Sequence, residues 1–217
     1  MLESRRGSRS AMSLLTRREI LASLGSGRLV VSPLLSSKQI GLASVDLRIG
    51  TTALLARASD LSHVDPKNII TYRKVQFKSE QSARRKLERL SVPYRSQLTL
   101  HSGGVVLVST YEWVRLPADL AGVVTARSSW AREGLSIATA TFINPCYSGI
   151  ITLELSNLGQ VPIVLYPGLR VAQIALHSMD GDSAGVCADG GGGQFDGAFE
   201  PGAGKLTDGD EAFIPSS

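Results

Sequence analysis

The first clear hydrophobic pattern along the chain has a helical period. It predicts a helix over residues 15–24, in which Ile20 and Leu21 belong to one apolar face. Thr16 and Glu19 form the T-x-x-E pattern of a capping box, in which each side chain satisfies a backbone amide of the other residue. The sequence therefore predicts one short helix close to the start of the folded chain.

After this helix the pattern becomes strand-like. Val45, Leu47 and Ile49 alternate with Asp46 and Arg48, as expected for a half-buried strand. Similar short segments, separated by Gly, Pro and Asn turn signals, occur near residues 105–109, 112–115, 122–126, 150–155, 162–165 and 170–176. Many short strands at roughly regular spacing predict an all-β sandwich, jelly roll or barrel.

Composition fits one compact domain with tails. The chain has 217 residues, 43% of them hydrophobic, which is enough to build a core. No run of about 18 apolar residues occurs, so we expect no membrane-spanning segment. We expect a flexible tail over residues 1–11, one folded domain over 12–180, and a Gly-rich segment over 181–217 that is either disordered or a lid that orders on a ligand.

Charge adds little to this picture. The formal net charge is +4, and the basic segment over residues 1–11 carries half of it, which is too slight a balance to predict nucleic-acid binding. Residues 79–95 are polar and basic, and we interpret them as a solvated insertion or a short surface helix, with contact to a polyphosphate as the alternative. The N-terminus lacks the continuous apolar core of a signal peptide, so we expect a cytoplasmic protein.

The cysteines and histidines show no spacing typical of a metal site. Cys146 and Cys187 are far apart in sequence, and the three histidines are scattered. The sequence therefore predicts neither a disulfide framework nor a zinc site.

Four segments in order and register resemble the dCTP deaminase family of the dUTPase-like superfamily. They are QIGLASVDLRIG (39–50), ARSSWAREGL (126–135), FINPCYSGIITLELSN (142–157) and VPIVLYPGLRVAQIAL (161–176). The resemblance implies a homotrimer of distorted jelly-roll or β-barrel subunits with active sites between them, and leaves a further pairing into hexamers open.

The same resemblance implies zinc-independent deamination of dCTP to dUTP and ammonia, with Mg²⁺ carried by the triphosphate and dTTP as a candidate inhibitor. It implies no nucleic-acid or membrane partner. Deamination without a metal at the ring requires a carboxylate that takes a proton from water and delivers protons to the ring nitrogen and the departing amine.

The residue that matches this carboxylate is Glu154. Strand alternation places Thr152 and Glu154 on one face, opposite Leu153 and Leu155. By similarity to the family, Glu154 is the proton shuttle, and Thr152 and Leu153 belong to the substrate site. The alternative is a carboxylate that simply faces solvent.

A second element is the sequence RSSWAR over residues 127–132. Two guanidinium groups beside small hydroxyl residues suit a turn into a short helix that holds phosphate oxygens and a pyrimidine carbonyl. By family similarity, Ser128 and Arg132 position the water and the cytosine, Arg127 meets the phosphates from a neighbouring subunit, and Ser129 belongs to the same substrate site. The alternative is an ordinary helix cap with a surface salt bridge.

Other positions depart from the family or match it more loosely. Asn144 stands where most relatives have Asp, at a position that contacts the deoxyribose, and it cannot act as a carboxylate. Cys146 replaces a family Gly, and we interpret it as a structural substitution. Gln173 matches a position that contacts the base or sugar. We interpret Asp46 and Arg48 as a structural ion pair or an interface contact.

The C-terminal segment is the weakest match. Family members carry a K-Y-x-x-Q-like segment that closes over the triphosphate, and this chain has QFDGA over residues 194–198 instead. Phe195 is a candidate for stacking, and Lys205 for the missing cation. The number of phosphates on the substrate therefore stays open. Two alternatives to a monofunctional deaminase also stay open: a bifunctional enzyme that yields dUMP, and a nucleotide-binding regulatory trimer without turnover.

Overall fold

Antiparallel strands dominate the computed structural model, which describes residues 13–56, 87–137, 141–179, 187 and 196–202. The helices are α1 (Arg17–Gly25) and α2 (Ser128–Arg132), with a 3₁₀ turn at Ser37–Gln39. The strands are β1 (Val30–Ser32), β2 (Ser44–Ala56), β3 (Leu87–Ser91), β4 (Leu98–Leu100), β5 (Val105–Arg115), β6 (Leu120–Ala126), β7 (Leu135–Ile137), β8 (Phe142–Ile143), β9 (Ser148–Asn157), β10 (Ile163–Leu165) and β11 (Arg170–Ser178).

One large sheet contains nine of these strands. Its order is β7-β9-β5-β2-β11-β6-β8, with β1 added on β5 and β3 added on β2, while β4 and β10 form a separate pair. Register shifts interrupt the pairing of β5 with β2 and with β9, and such irregularities let a sheet bend and curl around its core. The predicted all-β class with a short N-terminal helix is confirmed.

The capping box at the start of α1 is confirmed, but the predicted apolar face is only partly correct. The Thr16 side chain accepts from the Glu19 backbone, and the Glu19 carboxylate accepts from Thr16 N at 2.8 Å. Ile20 is fully buried, whereas Leu21 is 45% exposed and Ser23 is buried in its place. Successive helical residues differ by about 100°, so Ser23 lies nearer to the direction of Ile20 than Leu21 does. None of the helices among the described residues is long and apolar enough to cross a membrane.

The alternation predicted for β2 is confirmed, but Asp46 and Arg48 do not pair with each other. Val45, Leu47 and Ile49 point into the core, and the two charged residues lie buried on the opposite face. Arg48 contacts Glu112 on β5 at 3.0 Å, and Asp46 contacts two other arginines. Neighbouring strands and the residue before α2 supply better-placed partners than a residue two positions along the same strand.

Two predictions about the middle of the chain need correction. Residues 87–91, predicted to belong to a solvated insertion or surface helix, form β3 and pair with the end of β2. Residues 79–86 of that insertion lie outside the described residues, and 92–95 continue from β3 without regular secondary structure. The segments predicted at 105–109 and 112–115 are one strand, β5, because the chain continues through the register shift that separates them.

Contrary to the expectation of no disulfide, Cys146 and Cys187 are bonded, with Cα atoms 5.3 Å apart. They are 41 residues apart in sequence, and only the fold brings them together. Cys146 has a φ of 67°, in the left-handed region that favours glycine, which explains why the resembling family has Gly there. The nearby segment 196–202 lies along the start of β9, where Ile150 N donates to the Ala198 carbonyl at 2.9 Å.

Candidate functional site

A polar cleft of about 440 Å³ opens where β2, β11 and α2 meet. Arg127, Ser128 and Ser129 line one side of it, and Gln173 lines another. All four were predicted as substrate-site residues from the sequence, and the fold brings them together within one chain. The remaining polar lining comes from Lys38, Ser44, Asp46 and Arg170.

A row of polar side chains crosses three strands, and two of them, Asp46 and Gln173, line the cleft. Gln173 on β11 lies directly opposite Asp46 on β2 and Thr125 on β6, so the three side chains share one face of the sheet. The Gln173 amide donates to Thr125 Oγ1 at 3.3 Å, and Ser44 Oγ donates to Gln173 Oε1 at 3.4 Å. These contacts fix the orientation of the Gln173 amide at the cleft.

Charges converge on Asp46. Its Oδ1 lies 3.2 Å from Arg127 Nε and its Oδ2 lies 3.0 Å from Arg170 Nη1. Lys38 adds a further cation to the lining. Three cationic side chains against one carboxylate leave this part of the lining positive, which suits an anionic ligand.

Short contacts hold α2 against the start of β11. Arg127 N donates to the Val171 carbonyl at 2.9 Å, and the Trp130 indole donates to the Arg170 carbonyl at 3.0 Å. Beyond the helix, Gly134 has a φ of +90°, and a Cβ there would lie 2.6 Å from Gly159 N. A side chain at Gly134 would therefore push the end of α2 away from the turn that follows β9.

The predicted alternation around Glu154 is confirmed. Thr152 and Glu154 are partly exposed, whereas Leu153 and Leu155 are buried in the core. Glu154 lies opposite Leu107 on β5, which in turn lies opposite Leu54 on β2.

Glu154 does not line the cleft, and neither do Thr152 and Leu153. The row of residues that pair across the strands from Glu154 reaches β2 at Leu54. Leu54 is eight residues beyond Asp46, which corresponds to about 25 Å of extended strand. Within one chain, the predicted proton shuttle and the cationic cleft are therefore separate places on the sheet.

Arg132 and Asn144 are also outside the cleft lining. Arg132 is exposed at the end of α2, and Asn144 is exposed in the turn between β8 and β9. In that turn Tyr147 N donates to the Asn144 carbonyl at 3.3 Å. Gln194, Phe195 and Lys205, the candidates for a closing segment, lie outside the described residues.

Sequence reasoning did not assign Arg170 or Lys38 to the site, and it gave Asp46 another partner. Arg170 belongs to the quoted segment 161–176, only three positions before Gln173. The signal for Arg170 was thus its place next to a predicted binding residue. Lys38 stands just before the quoted segment 39–50 and has no comparable signal.

Within the part of the chain that the structure describes, no group of three or more His, Cys, Asp or Glu side chains could hold a metal ion. A divalent cation that accompanies a nucleotide is held by the phosphate oxygens and belongs to the substrate.

Comparison with known proteins places these observations in a family. Residues 14–179 match the family described as dCTP deaminase-like. A dCTP deaminase, dUMP-forming, from Methanosphaera stadtmanae is 35% identical over 173 residues, which cover 79% of this chain and 82% of that protein. A dCTP deaminase from Thermomicrobium roseum is 33% identical over 168 residues, covering 76% and 80%.

A solved structure agrees with these sequence matches. The crystal structure of 2'-deoxycytidine 5'-triphosphate deaminase from Agrobacterium tumefaciens has a TM-score of 0.57 and 25% sequence identity to this chain. The match covers 77% of this chain and 48% of that one, so this chain spans about half the length of the solved protein.

Proposed function

This chain belongs to the dCTP deaminase-like family, and from this premise we propose that it removes the 4-amino group of the cytosine of dCTP by hydrolysis. The observation that carries the proposal is the positive cleft in which Arg127, Ser128, Ser129 and Gln173 meet. Cationic side chains beside hydroxyl and amide groups suit a ligand that has phosphates at one end and a polar base or sugar at the other.

We propose that Glu154 completes this site from a second copy of the chain. Leu54, the β2 residue in the same cross-strand row as Glu154, is separated from Asp46 by about 25 Å of strand. Glu154 and the cleft therefore lie apart in one subunit. A homotrimer with sites between subunits would bring Glu154 of one copy to Ser128 and Arg132 of another. Arg127, which directly precedes Ser128, and Arg132 at the exposed end of α2 would then both extend across the boundary between the two copies.

In the proposed reaction, the Glu154 carboxylate takes a proton from a water molecule while the oxygen of that water bonds to C4 of the cytosine. The same carboxyl group delivers that proton to N3, which gives a tetrahedral intermediate with both oxygen and nitrogen on C4. A second transfer, from the new hydroxyl through Glu154 to the amine, accompanies cleavage of the C–N bond and release of ammonia. Ser128 and Arg132 hold the water and the pyrimidine carbonyl, and Mg²⁺ arrives with the triphosphate.

We propose dUTP as the product, because Asn144 stands where a carboxylate would be needed to activate water for attack on the phosphate chain. The second candidate is a bifunctional enzyme that goes on to release pyrophosphate and dUMP. The names of relatives favour it, since the Methanosphaera stadtmanae protein is called dUMP-forming. The Thermomicrobium roseum protein, by contrast, is called simply dCTP deaminase.

We further propose that the protein acts in the cytoplasm on the nucleotide pool and that dTTP, which has the same triphosphate and a pyrimidine carbonyl in place of the amine, competes for the cleft. Because disulfides are rare in the cytosol, finding the Cys146–Cys187 bond already formed in protein trapped inside intact cells would overturn the cytoplasmic assignment.

The test is product analysis by chromatography, with ammonia measured in parallel, for dCTP and dCMP. Wild type should release ammonia from dCTP and accumulate dUTP, and Glu154→Gln should release none while still binding dCTP. Glu133→Gln, an exposed carboxylate at the end of α2, is the matched control and should behave like wild type. Failure of wild type to release ammonia from either nucleotide would reject the deaminase assignment.

A further inference from the structure

We propose that Arg127 and Arg170 form a two-arginine site for the phosphate chain of the substrate, and that Asp46 is the positioning residue that sets the geometry of both. This inference rests on the proposed function, since it deepens the substrate site of the same cleft. The family resemblance implies only that Arg127 meets the phosphates, and the sequence pattern indicates a structural ion pair or an interface contact for Asp46.

The contacts of Asp46 divide its carboxylate between two cations. Oδ1 lies 3.2 Å from Arg127 Nε, and Oδ2 lies 3.0 Å from Arg170 Nη1. Only 12% of the Asp46 side chain is exposed, against 33% for Arg127 and 36% for Arg170. The carboxylate is thus nearly covered, while both guanidinium groups still reach solvent at the cleft.

The part of each guanidinium that Asp46 uses determines what remains for a ligand. Because Arg127 is held through Nε, the end-on pair of N–H donors, one on each terminal nitrogen, remains for an anion. Arg170 is held through Nη1, which also donates to the Lys38 carbonyl at 3.5 Å, so Nε and Nη2 form the donor pair that remains for a ligand. Guanidinium groups bind phosphate oxygens through such pairs of N–H donors.

The backbone brings the two arginines together from different segments. Arg127 immediately precedes α2, and Arg170 is the first residue of β11. The hydrogen bond from Arg127 N to the Val171 carbonyl, 2.9 Å long, joins these segments next to both side chains. Two cations held this close repel each other, and the shared carboxylate offsets that repulsion while the cleft is empty.

The charge count separates this arrangement from an ordinary ion pair. A structural pair needs one cation for one carboxylate, whereas Asp46 meets two, and Lys38 adds a third cation to the lining. The excess positive charge fits a ligand with several anionic groups, such as the triphosphate of a nucleotide. A neutral nucleoside would gain little from it.

The test compares ligands that differ only in phosphate number. Calorimetric titration of the full-length protein with dCTP, dCMP and deoxycytidine is carried out in the Glu154→Gln background, which should bind dCTP without releasing ammonia, so that the affinities do not depend on turnover. We expect Arg170→Met and Asp46→Asn to weaken dCTP binding by about 10-fold, as loss of a charge-assisted contact does, and to change deoxycytidine binding by less than about 2-fold. Arg170→Lys keeps the positive charge but lacks the paired N–H donors of a guanidinium. Its affinity for dCTP should lie between those of wild type and Arg170→Met.

Steady-state kinetics gives a second readout. The KM for dCTP should rise in Asp46→Asn while kcat stays within about 2-fold, because the residue acts on binding through the arginines. Asp119→Asn, the same change in an exposed ion pair with Arg28, is the matched control and should alter neither value.

Two outcomes would overturn the inference: unchanged dCTP affinity in Arg170→Met, or equal loss of affinity for dCTP and deoxycytidine. If Asp46→Asn does not fold, the Arg170 variants decide the question. These results are distinct from failure of the proposed function, in which wild type itself would release no ammonia from dCTP.

Discussion

The guanidinium of Arg48 lies 3.0 Å from the Glu112 carboxylate, with 10% of the Arg48 side chain and none of the Glu112 side chain exposed. The Arg48 backbone N also donates to Glu112 Oε2 at 2.8 Å, and Gln39 Nε2 donates to Oε1 at 2.7 Å. Burial raises the pKa of the Glu112 carboxyl, while the hydrogen bonds from Arg48 act in the opposite direction. The carboxyl group thus depends on these donors to remain in the interior.

We expect Arg48→Met to lower the free energy of unfolding by about 3 kcal/mol, because it removes the cation and leaves a buried carboxyl group uncompensated. Arg28→Met is the matched control, since Arg28 and Asp119 form an ion pair whose side chains are 51% and 38% exposed. That change should cost less than about 1 kcal/mol. Denaturant unfolding of both variants measures the difference, and equal costs would show that the buried pair contributes no more than a surface pair.

A second prediction concerns Cys146 and Cys187, the two cysteines of the chain. Because they are bonded, protein unfolded without reductant should show no thiol that reacts with a colorimetric reagent, and Cys187→Ser should show one. The sequence separation of 41 residues corresponds to about 4 kcal/mol of stabilisation in the chain-entropy account of disulfides.

Cys187→Ser and the reduced wild type should therefore lose stability by similar amounts. Two reactive thiols in the unreduced wild type would contradict the bond. Equal stability with and without reductant would instead contradict its contribution to folding.

The titration of Tyr147 supplies a third prediction. Burial, and then the negative charge of Asp196, raise the pKa of Tyr147 to about 12. Its unfolded value is near 10, so the folded protein binds the phenolic proton more tightly. The stability this gives is fully present below pH 10 and is lost as the pH rises from 10 towards 12.

Near-ultraviolet absorbance during an alkaline titration measures this ionisation. Asp196→Asn should lower the pKa of Tyr147 and leave that of Tyr94 at about 12, because Tyr94 owes its shift to burial and to its neighbour Tyr111. Tyr147→Phe, which has no phenolic proton, identifies the part of the absorbance change that belongs to Tyr147. An unchanged titration in Asp196→Asn would mean that the segment 196–202 is not held against β9 as described.

Local rules were sufficient where a residue and its partner lie close in sequence. The capping box joins Thr16 and Glu19, three positions apart, and the alternation that places Glu154 opposite Leu155 is a property of any strand. The motif over residues 127–132 likewise predicts Arg127 and Ser128 as neighbours in one site, and the cleft contains both.

Long-range register decided the rest. Asp46 meets Arg127 and Arg170 because β2 and β11 pair in one register, which strand alternation alone does not determine. The bond between Cys146 and Cys187 depends on where the chain returns after β11. The distance of Glu154 from the cleft in one subunit is also a consequence of strand order, and no motif encodes it.

The last prediction concerns the product. Asn144 lies exposed in the turn before β9, and an amide cannot take a proton from water. If this position limits the reaction to deamination, Asn144→Asp should convert dCTP to dUMP and pyrophosphate, with pyrophosphate release at least about 100-fold above wild type, the usual scale for general-base catalysis.

A coupled pyrophosphate assay, run beside chromatography of the nucleotides, measures both products. Asn144→Ser keeps a polar side chain without a carboxylate and should resemble wild type in forming dUTP alone. Formation of dUMP by wild type would show that Asn144 is no barrier to phosphate cleavage and would favour the bifunctional candidate. Ammonia release unaccompanied by pyrophosphate in Asn144→Asp would show that more than this one carboxylate separates the two activities, because the nucleotide and the water must also be held in line for attack on phosphorus.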